Sequence, residues 1–177
     1  MNEAGEFAES RTRRLFFALW PSDDVRHSIE HETRTAARHS GGRMIPARNF
    51  HITLAFLGSV PEERVADVQA VAAALSVVPF DLIMGRVIWW ERQELLCMEP
   101  TAGLEALNEL AARLQRALRA SGFVLESRPF RAHLTLARDV RREHAIKPIR
   151  AVHWTIDRVA LVESQTLERG SVYTVLE

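Results

Sequence analysis

His51-Ile52-Thr53-Leu54-Ala55 and His133-Leu134-Thr135-Leu136-Ala137 agree at His, Thr, Leu and Ala, and the pair decides how the rest of the chain is read. Each stretch lies in an apolar, strand-like run, the first over residues 51–58 and the second over 132–137. Side chains at i and i+2 of a strand share a face about 6.6 Å apart, so His51 and Thr53 point together, as do His133 and Thr135. Ile52 and Leu134 then point the other way, into the core. Two copies are too few for a solenoid and imply two similar lobes with a groove between them. An approximate two-fold axis relating the lobes brings two imidazoles and two hydroxyls around one point, which suits a small anion.

Outward from the motifs, residues 14–20 read as a buried strand ending at Pro21. Ser22 is placed to cap a helix whose first turn carries Asp23 and Asp24 and whose polar run to His39 stops at Gly41-Gly42. Pro61-Glu62-Glu63 opens a second helix, with Val65, Val68, Ala72 and Leu75 at helical spacing. Residues 80–90 and 94–99 predict a hairpin, and Leu104, Leu107, Ala111, Leu114 and Leu118 mark one face of a third helix ending near Gly122. Strands are expected again over 152–162 and 172–176. The order of elements is mixed, not strictly alternating.

The 177 residues carry 23 basic and 23 acidic side chains, and 47% of them are hydrophobic, enough to bury a core without disulfide or metal staples. Cys97 is the single cysteine, which excludes an internal disulfide framework and points to a reducing compartment, the cytoplasm. No apolar run approaches the roughly 18 residues needed to span a bilayer, so no membrane association is expected. Residues 1–13 mix acids with Arg11 and Arg13 and are expected to be a flexible leader to one domain over 14–177. Zero net charge excludes a protein that coats duplexes through many phosphate contacts, so any contact with nucleic acid is local.

The chemistry that wants two imidazoles around an anion is attack on phosphorus with departure of an alkoxide. One neutral imidazole takes the proton of the entering oxygen and one imidazolium protonates the leaving oxygen; an unperturbed pKa of about 6.5 allows both states near neutrality. Thr53 and Thr135 can donate to the non-bridging phosphoryl oxygens, and Arg138, five residues beyond His133, adds a forked cationic donor. Neither motif has a His-x-x-x-His, a cysteine pair or a carboxylate, so no metal and no other cofactor is expected.

These residues resemble the two-histidine phosphoesterase superfamily, and within it the 2′-5′ RNA ligase family, also described as RNA 2′,3′-cyclic phosphodiesterases. The resemblance runs from Arg14-Leu-Phe-Phe-Ala-Leu19 through Pro46-Ala-Arg-Asn-Phe-His-Ile-Thr-Leu-Ala-Phe-Leu-Gly58 and Arg128-Pro-Phe-Arg-Ala-His-Leu-Thr-Leu-Ala-Arg138. It continues to Leu161, Ser164, Leu167, Gly170 and Tyr173 in the tail. It implies an α+β fold, bilobal, with two pseudo-symmetric antiparallel sheets flanked by helices around a central cleft. It implies opening of a terminal 2′,3′-cyclic phosphate on RNA to a 2′-phosphate, with His51 as proton donor, His133 as proton acceptor, and Thr53, Thr135 and Arg138 on the phosphate. Reversible 2′-5′ ligation of RNA, tRNA fragments among its substrates, follows when a 5′ hydroxyl replaces water. A monomer is expected.

Arg43, Arg48, Arg128, Arg131, Arg141, Arg142, Lys147 and Arg150 flank the motifs and offer a path for an RNA strand, with Phe56 as a surface on which a terminal base stacks. Lys147 is the one lysine, so the abundance of arginine also reflects composition. Trp89, Trp90 and Trp154 are expected to pack, Cys97 to be a buried thiol, and His27, His31, His39, His144 and His153 are given no role. Two other readings stay open: a cyclic phosphodiesterase acting on a small nucleotide such as an ADP-ribose cyclic phosphate, and a module that binds RNA ends without turnover.

Overall fold

The chain alternates short helices with antiparallel strands, and the computed structural model describes residues 11–141, 146–167 and 170–176. In the first part, β1 (Thr12–Leu19) leads through α1 (Asp23–His39) and the two-residue β2 (Arg43–Met44) to β3 (Ile52–Pro61) and then α2 (Val65–Ala74). The hairpin β4 (Phe80–Trp90) and β5 (Leu95–Ala102) is followed by α3 (Leu104–Ala120) and β6 (Leu134–Arg138). Three further strands close the chain: β7 (Val152–Ile156), β8 (Ala160–Leu167) and β9 (Gly170–Val175). Ser22 caps α1 as expected, its Oγ accepting from the Val25 N–H. Gly103 turns β5 into α3 at φ 83°, and a Cβ there would meet the Asp81 carbonyl oxygen at 2.2 Å.

The strands run in the order β7-β4-β5-β6-β3-β1-β8-β9, every pairing antiparallel, with β2 added to β6. Two halves are visible in that order. One is β3-β1-β8-β9, the other β6-β5-β4-β7, and the pair Ile52 and Leu134 is the Cα pairing that joins them into one nine-stranded sheet. The halves are pseudo-symmetric: β1-α1-β3 is matched by β5-α3-β6, each a strand, a helix and an antiparallel return to the neighbouring position. The helices cross over. α1 packs on β6 and β7 of the far half, whereas α3 packs on β3 and against α2. The resulting core takes Leu15, Phe17 and Leu19 from β1, Ile29 from α1, and Leu107, Leu114 and Leu118 from α3, all fully buried. Phe16, Ala18, Ala160 and Val162 form a second, smaller cluster on the opposite face of the sheet.

Three details differ from the expectation. The run 152–162 is two strands, because β7 pairs with β4 in one half and β8 with β1 in the other, and Asp157-Arg158-Val159 carries the chain between them. β2 is too short and too exposed to leave a periodic signal. The sheet already starts at Thr12, inside the expected leader, and Arg13 donates to both carboxylate oxygens of Glu163 at 3.1 and 2.7 Å. Residues 1–10 of that leader lie outside the described residues. Among the described residues no helix is long and apolar enough to cross a membrane.

Cys97 sits on β5 opposite Thr135, fully buried, and burial pushes its thiol up to about 12. Alkylation by iodoacetamide at pH 8 is therefore expected to be negligible in the folded protein and complete in denaturant, read as mass gain; rapid labelling of the native chain would contradict this placement.

Candidate active site

His51 and His133 each occupy the position just before a strand, and the same local device orients both. The Nδ1–H of His51 donates to the carbonyl of Asn49 at 2.7 Å, and that of His133 donates to the carbonyl of Arg131 at 2.8 Å. A carbonyl only accepts, so Nδ1 carries the hydrogen in both rings and Nε2 is the nitrogen left for chemistry. Ahead of His51, a 3-10 turn over Ala47–Asn49 makes the bend, buried Phe50 anchors it, and the Asn49 amide ties it to the Ser171 carbonyl of β9 at 3.1 Å.

The Ile52 and Leu134 pair does the rest. With Ile52 and Leu134 paired, the flanking His51 and Thr53 on one side and His133 and Thr135 on the other come to line one cavity. The two apolar residues are fully buried on the helix side, and the four polar ones are half-buried on the other. Thr53, His133, Thr135 and Arg138 form the common wall of two cavities. The smaller, about 440 Å³, adds His51, Arg43, Arg48, Asn49 and Tyr173. The larger, about 720 Å³, adds Phe56, Trp90, Gln93, Gln115, Arg128 and Arg131. Among the described residues Arg138 pairs with no carboxylate, which leaves its guanidinium for an anionic ligand.

The two imidazoles differ in their surroundings. His51 lies in an aromatic box, stacked on Trp20 at 5.5 Å between ring centres and flanked by Phe16 at 5.1 Å and Tyr173 at 5.3 Å. Burial pushes its pKa down to about 4, and the nearby positive groups His133 and Arg138 push the same way. His133 rests against Trp90 at 4.4 Å. Its pKa is also lowered by burial and by Arg131 and Arg138, while Glu99 and the Arg131 carbonyl oppose the fall.

Of the residues singled out in the sequence, His51, Thr53, His133, Thr135 and Arg138 come together. Phe56 lines the larger cavity together with Thr53, His133, Thr135 and Arg138 but not the smaller one with His51, and the Arg14 guanidinium lies 4.7 Å above its ring centre. Arg43 and Arg48 line the smaller cavity and Arg128 and Arg131 the larger, whereas Lys147 lines a separate cavity beside α1. Arg141 and Arg150 are exposed, and Arg142 and His144 lie outside the described residues. Sequence reasoning missed the aromatic box and Glu99. Phe16 on β1 and Trp20 just beyond its end fall on one side with Ala18 by two-residue alternation, which is a usable signal once the strand is known; Trp90, expected only to pack, touches a site histidine. Among the described residues no group of three His, Cys, Asp or Glu side chains is gathered as a metal site would need.

Comparison with known proteins gives a consistent picture. The family described as the 2′-5′ RNA ligase superfamily matches residues 21–168. The RNA 2′,3′-cyclic phosphodiesterase of Escherichia coli is 32% identical over 78% of this chain and 79% of its own length. The enzyme of the same name from Thermus thermophilus is 29% identical over 93% of this chain and 88% of its own. The crystal structure of E. coli LigT complexed with 3′-AMP superposes with a TM-score of 0.85 at 28% identity, covering 94% of this chain and 97% of that one.

Proposed function

We propose that this chain, which belongs to the 2′-5′ RNA ligase superfamily, hydrolyses the terminal 2′,3′-cyclic phosphate of RNA to a 2′-phosphate and a free 3′ hydroxyl. The observation that supports it most is the pair of imidazoles, each held through Nδ1–H by a carbonyl two residues back, at the head of two strands joined at Ile52 and Leu134. In this reading the phosphate lies against Thr53, Thr135 and Arg138, whose donors take its non-bridging oxygens. Nε2 of His133 removes a proton from water as the water oxygen bonds to phosphorus. Nε2–H of His51 gives its proton to O3′ as the P–O3′ bond breaks. A 5′ hydroxyl in place of water makes a 2′-5′ linkage by the same steps. The terminal base then lies in the larger cavity toward Phe56, the protein works as a monomer, and its location is the cytoplasm.

The aromatic box suits His51 to the role of acid. An imidazolium that water does not solvate is a strong proton donor, and the phosphodiester anion supplies the negative charge that loads the proton onto it. The consequence for pH follows from the signs. Both imidazoles have pKa values below 6.5, His51 near 4, and turnover needs one charged and one neutral. As pH falls through the lower value both become charged and the base is lost; as pH rises through the upper value both become neutral and the acid is lost. The profile of kcat/KM is therefore expected to be bell-shaped with its maximum below about 6.5, and that of kcat to lie at higher pH because bound phosphate raises His51. A kcat/KM optimum above about pH 7.5 contradicts this.

The deciding experiment incubates a cyclic-phosphate-ended oligoribonucleotide with the protein in EDTA and identifies which oxygen keeps the phosphate. Undiminished turnover to the 2′-phosphate is expected. A 3′-phosphate product overturns the assignment of the leaving oxygen, and loss of activity in chelator overturns the metal-independent mechanism. Faster turnover of a cyclic mononucleotide or an ADP-ribose cyclic phosphate overturns RNA as the substrate.

A further inference from the structure

Glu99, on β5, is a buried carboxylate whose side chain is 5% exposed. A buried charge needs a partner, and Arg86 of the neighbouring β4 supplies one. Two more donors converge on it: Arg131 through Nη2 at 2.7 Å and the indole Nε1–H of Trp90 at 3.2 Å. Both of these lead to His133. The Trp90 ring lies 4.4 Å from the imidazole, centre to centre, at 46°, and the carbonyl of Arg131 accepts the His133 Nδ1–H. The Arg131 guanidinium in turn covers Trp90, 4.1 Å from its ring centre. The two contacts that set the plane of the His133 ring are thus both tied to one carboxylate. Among the described residues His51 has no equivalent; its supports are the Asn49 carbonyl and three neutral aromatic rings. The pseudo-symmetry of the two halves is broken at this point.

We propose that Glu99 is a positioning residue for His133, fixing the ring through Trp90 and Arg131 and placing negative charge behind the imidazolium that forms when His133 takes a proton from water. This rests on His133 acting as the base. The charged or titratable groups that face His133 are Arg131 ahead of β6, Arg138 at the end of β6, Glu99 on β5 and His51 ahead of β3, while Arg86 bears on Glu99 itself. Of these, Arg131 and Arg138 disfavour charge on the ring and Glu99 alone favours it. In the chemical step a water O–H bond breaks, an Nε2–H bond forms, and the positive charge that appears on the ring is opposed by Glu99.

The test is Glu99→Gln, which keeps the shape and the acceptor oxygen and removes the charge. NMR titration of the ring in the free protein is expected to show the His133 pKa about half a unit lower, with His51 almost unmoved. kcat is expected to fall about tenfold with KM within about twofold, a loss confined to the transition state. Trp90→Phe cuts only the indole link and is expected to lower kcat about threefold, with the double variant less affected than the product of the two. A folded Glu99→Gln protein with unchanged His133 titration and kcat overturns the proposal; if that variant does not fold, an unchanged Trp90→Phe enzyme overturns it. Full turnover by His133→Ala would instead defeat the acid-base reading, and the titration shift would still measure the coupling of Glu99 to His133.

Discussion

His51→Ala and His133→Ala are each expected to lower kcat by about 10²- to 10⁴-fold, the usual worth of a positioned acid or base. At 1.36 kcal/mol per decade this is about 2.7 to 5.4 kcal/mol of barrier. KM is expected to change little, because the phosphate contacts proposed for Thr53, Thr135 and Arg138 are left in place. The double variant should lose much less than the product of the single losses, since a lone acid without its base has little left to do. A phosphodiester with a nitrophenolate leaving group separates the roles. Such a group departs without a proton, so it should restore His51→Ala toward the wild-type rate and leave His133→Ala impaired. The reverse pattern exchanges acid and base between the two histidines, and full activity of both variants places the chemistry elsewhere.

Leu134→Ala is the second large effect, and it acts through packing. Leu134 is fully buried and stands opposite Ile52, also fully buried, in the Cα pair that joins the halves of the sheet. Removing a buried leucine side chain costs about 2 to 5 kcal/mol, depending on how far the cavity collapses. Urea unfolding should show the loss as a lower midpoint with an unchanged slope. Collapse at this position also alters the spacing between His51 and His133, which stand immediately ahead of the same two strands. kcat should therefore fall at temperatures where the variant is still folded, by an amount that Leu107→Ala, equally buried but in α3, does not reproduce. Equal effects of the two substitutions on kcat would show that the seam has no special part in aligning the histidines.

The motifs, the boundaries of α1 and α3 and the pairing of residues 80–90 with the strand that follows were legible because each is written in local periodicity, capping or repetition, whereas α2 starts only at Val65, behind a 3-10 turn over Glu62–Arg64, and not at Pro61. Ser22, the alternation of Ile52 with Thr53, and the leucines of α3 all act within a few residues of themselves. What was not legible depends on partners distant in the chain. The break at Asp157-Arg158-Val159 exists because the strand changes neighbours from β4 to β1, and an apolar run does not encode its neighbour. Trp20 and Tyr173 meet His51 only after β1 and β9 have been laid on the same half of the sheet. Trp90 and Glu99, on β4 and β5, carry no motif, and each reads as ordinary until the indole is seen between a carboxylate and the imidazole of His133.

The order of strands also constrains how a growing polypeptide acquires activity. β4 to β7 follow one another along the chain and can pair as they emerge from the ribosome, whereas β1 lies between β3 and β8, which are far apart in synthesis. The half that carries His51 thus waits, with one side of β1 unpaired, until β8 and β9 arrive and Tyr173 closes the box around the ring. A polypeptide shortened before β8 therefore keeps both histidines but lacks the Tyr173 wall beside His51 and the partner on one side of β1.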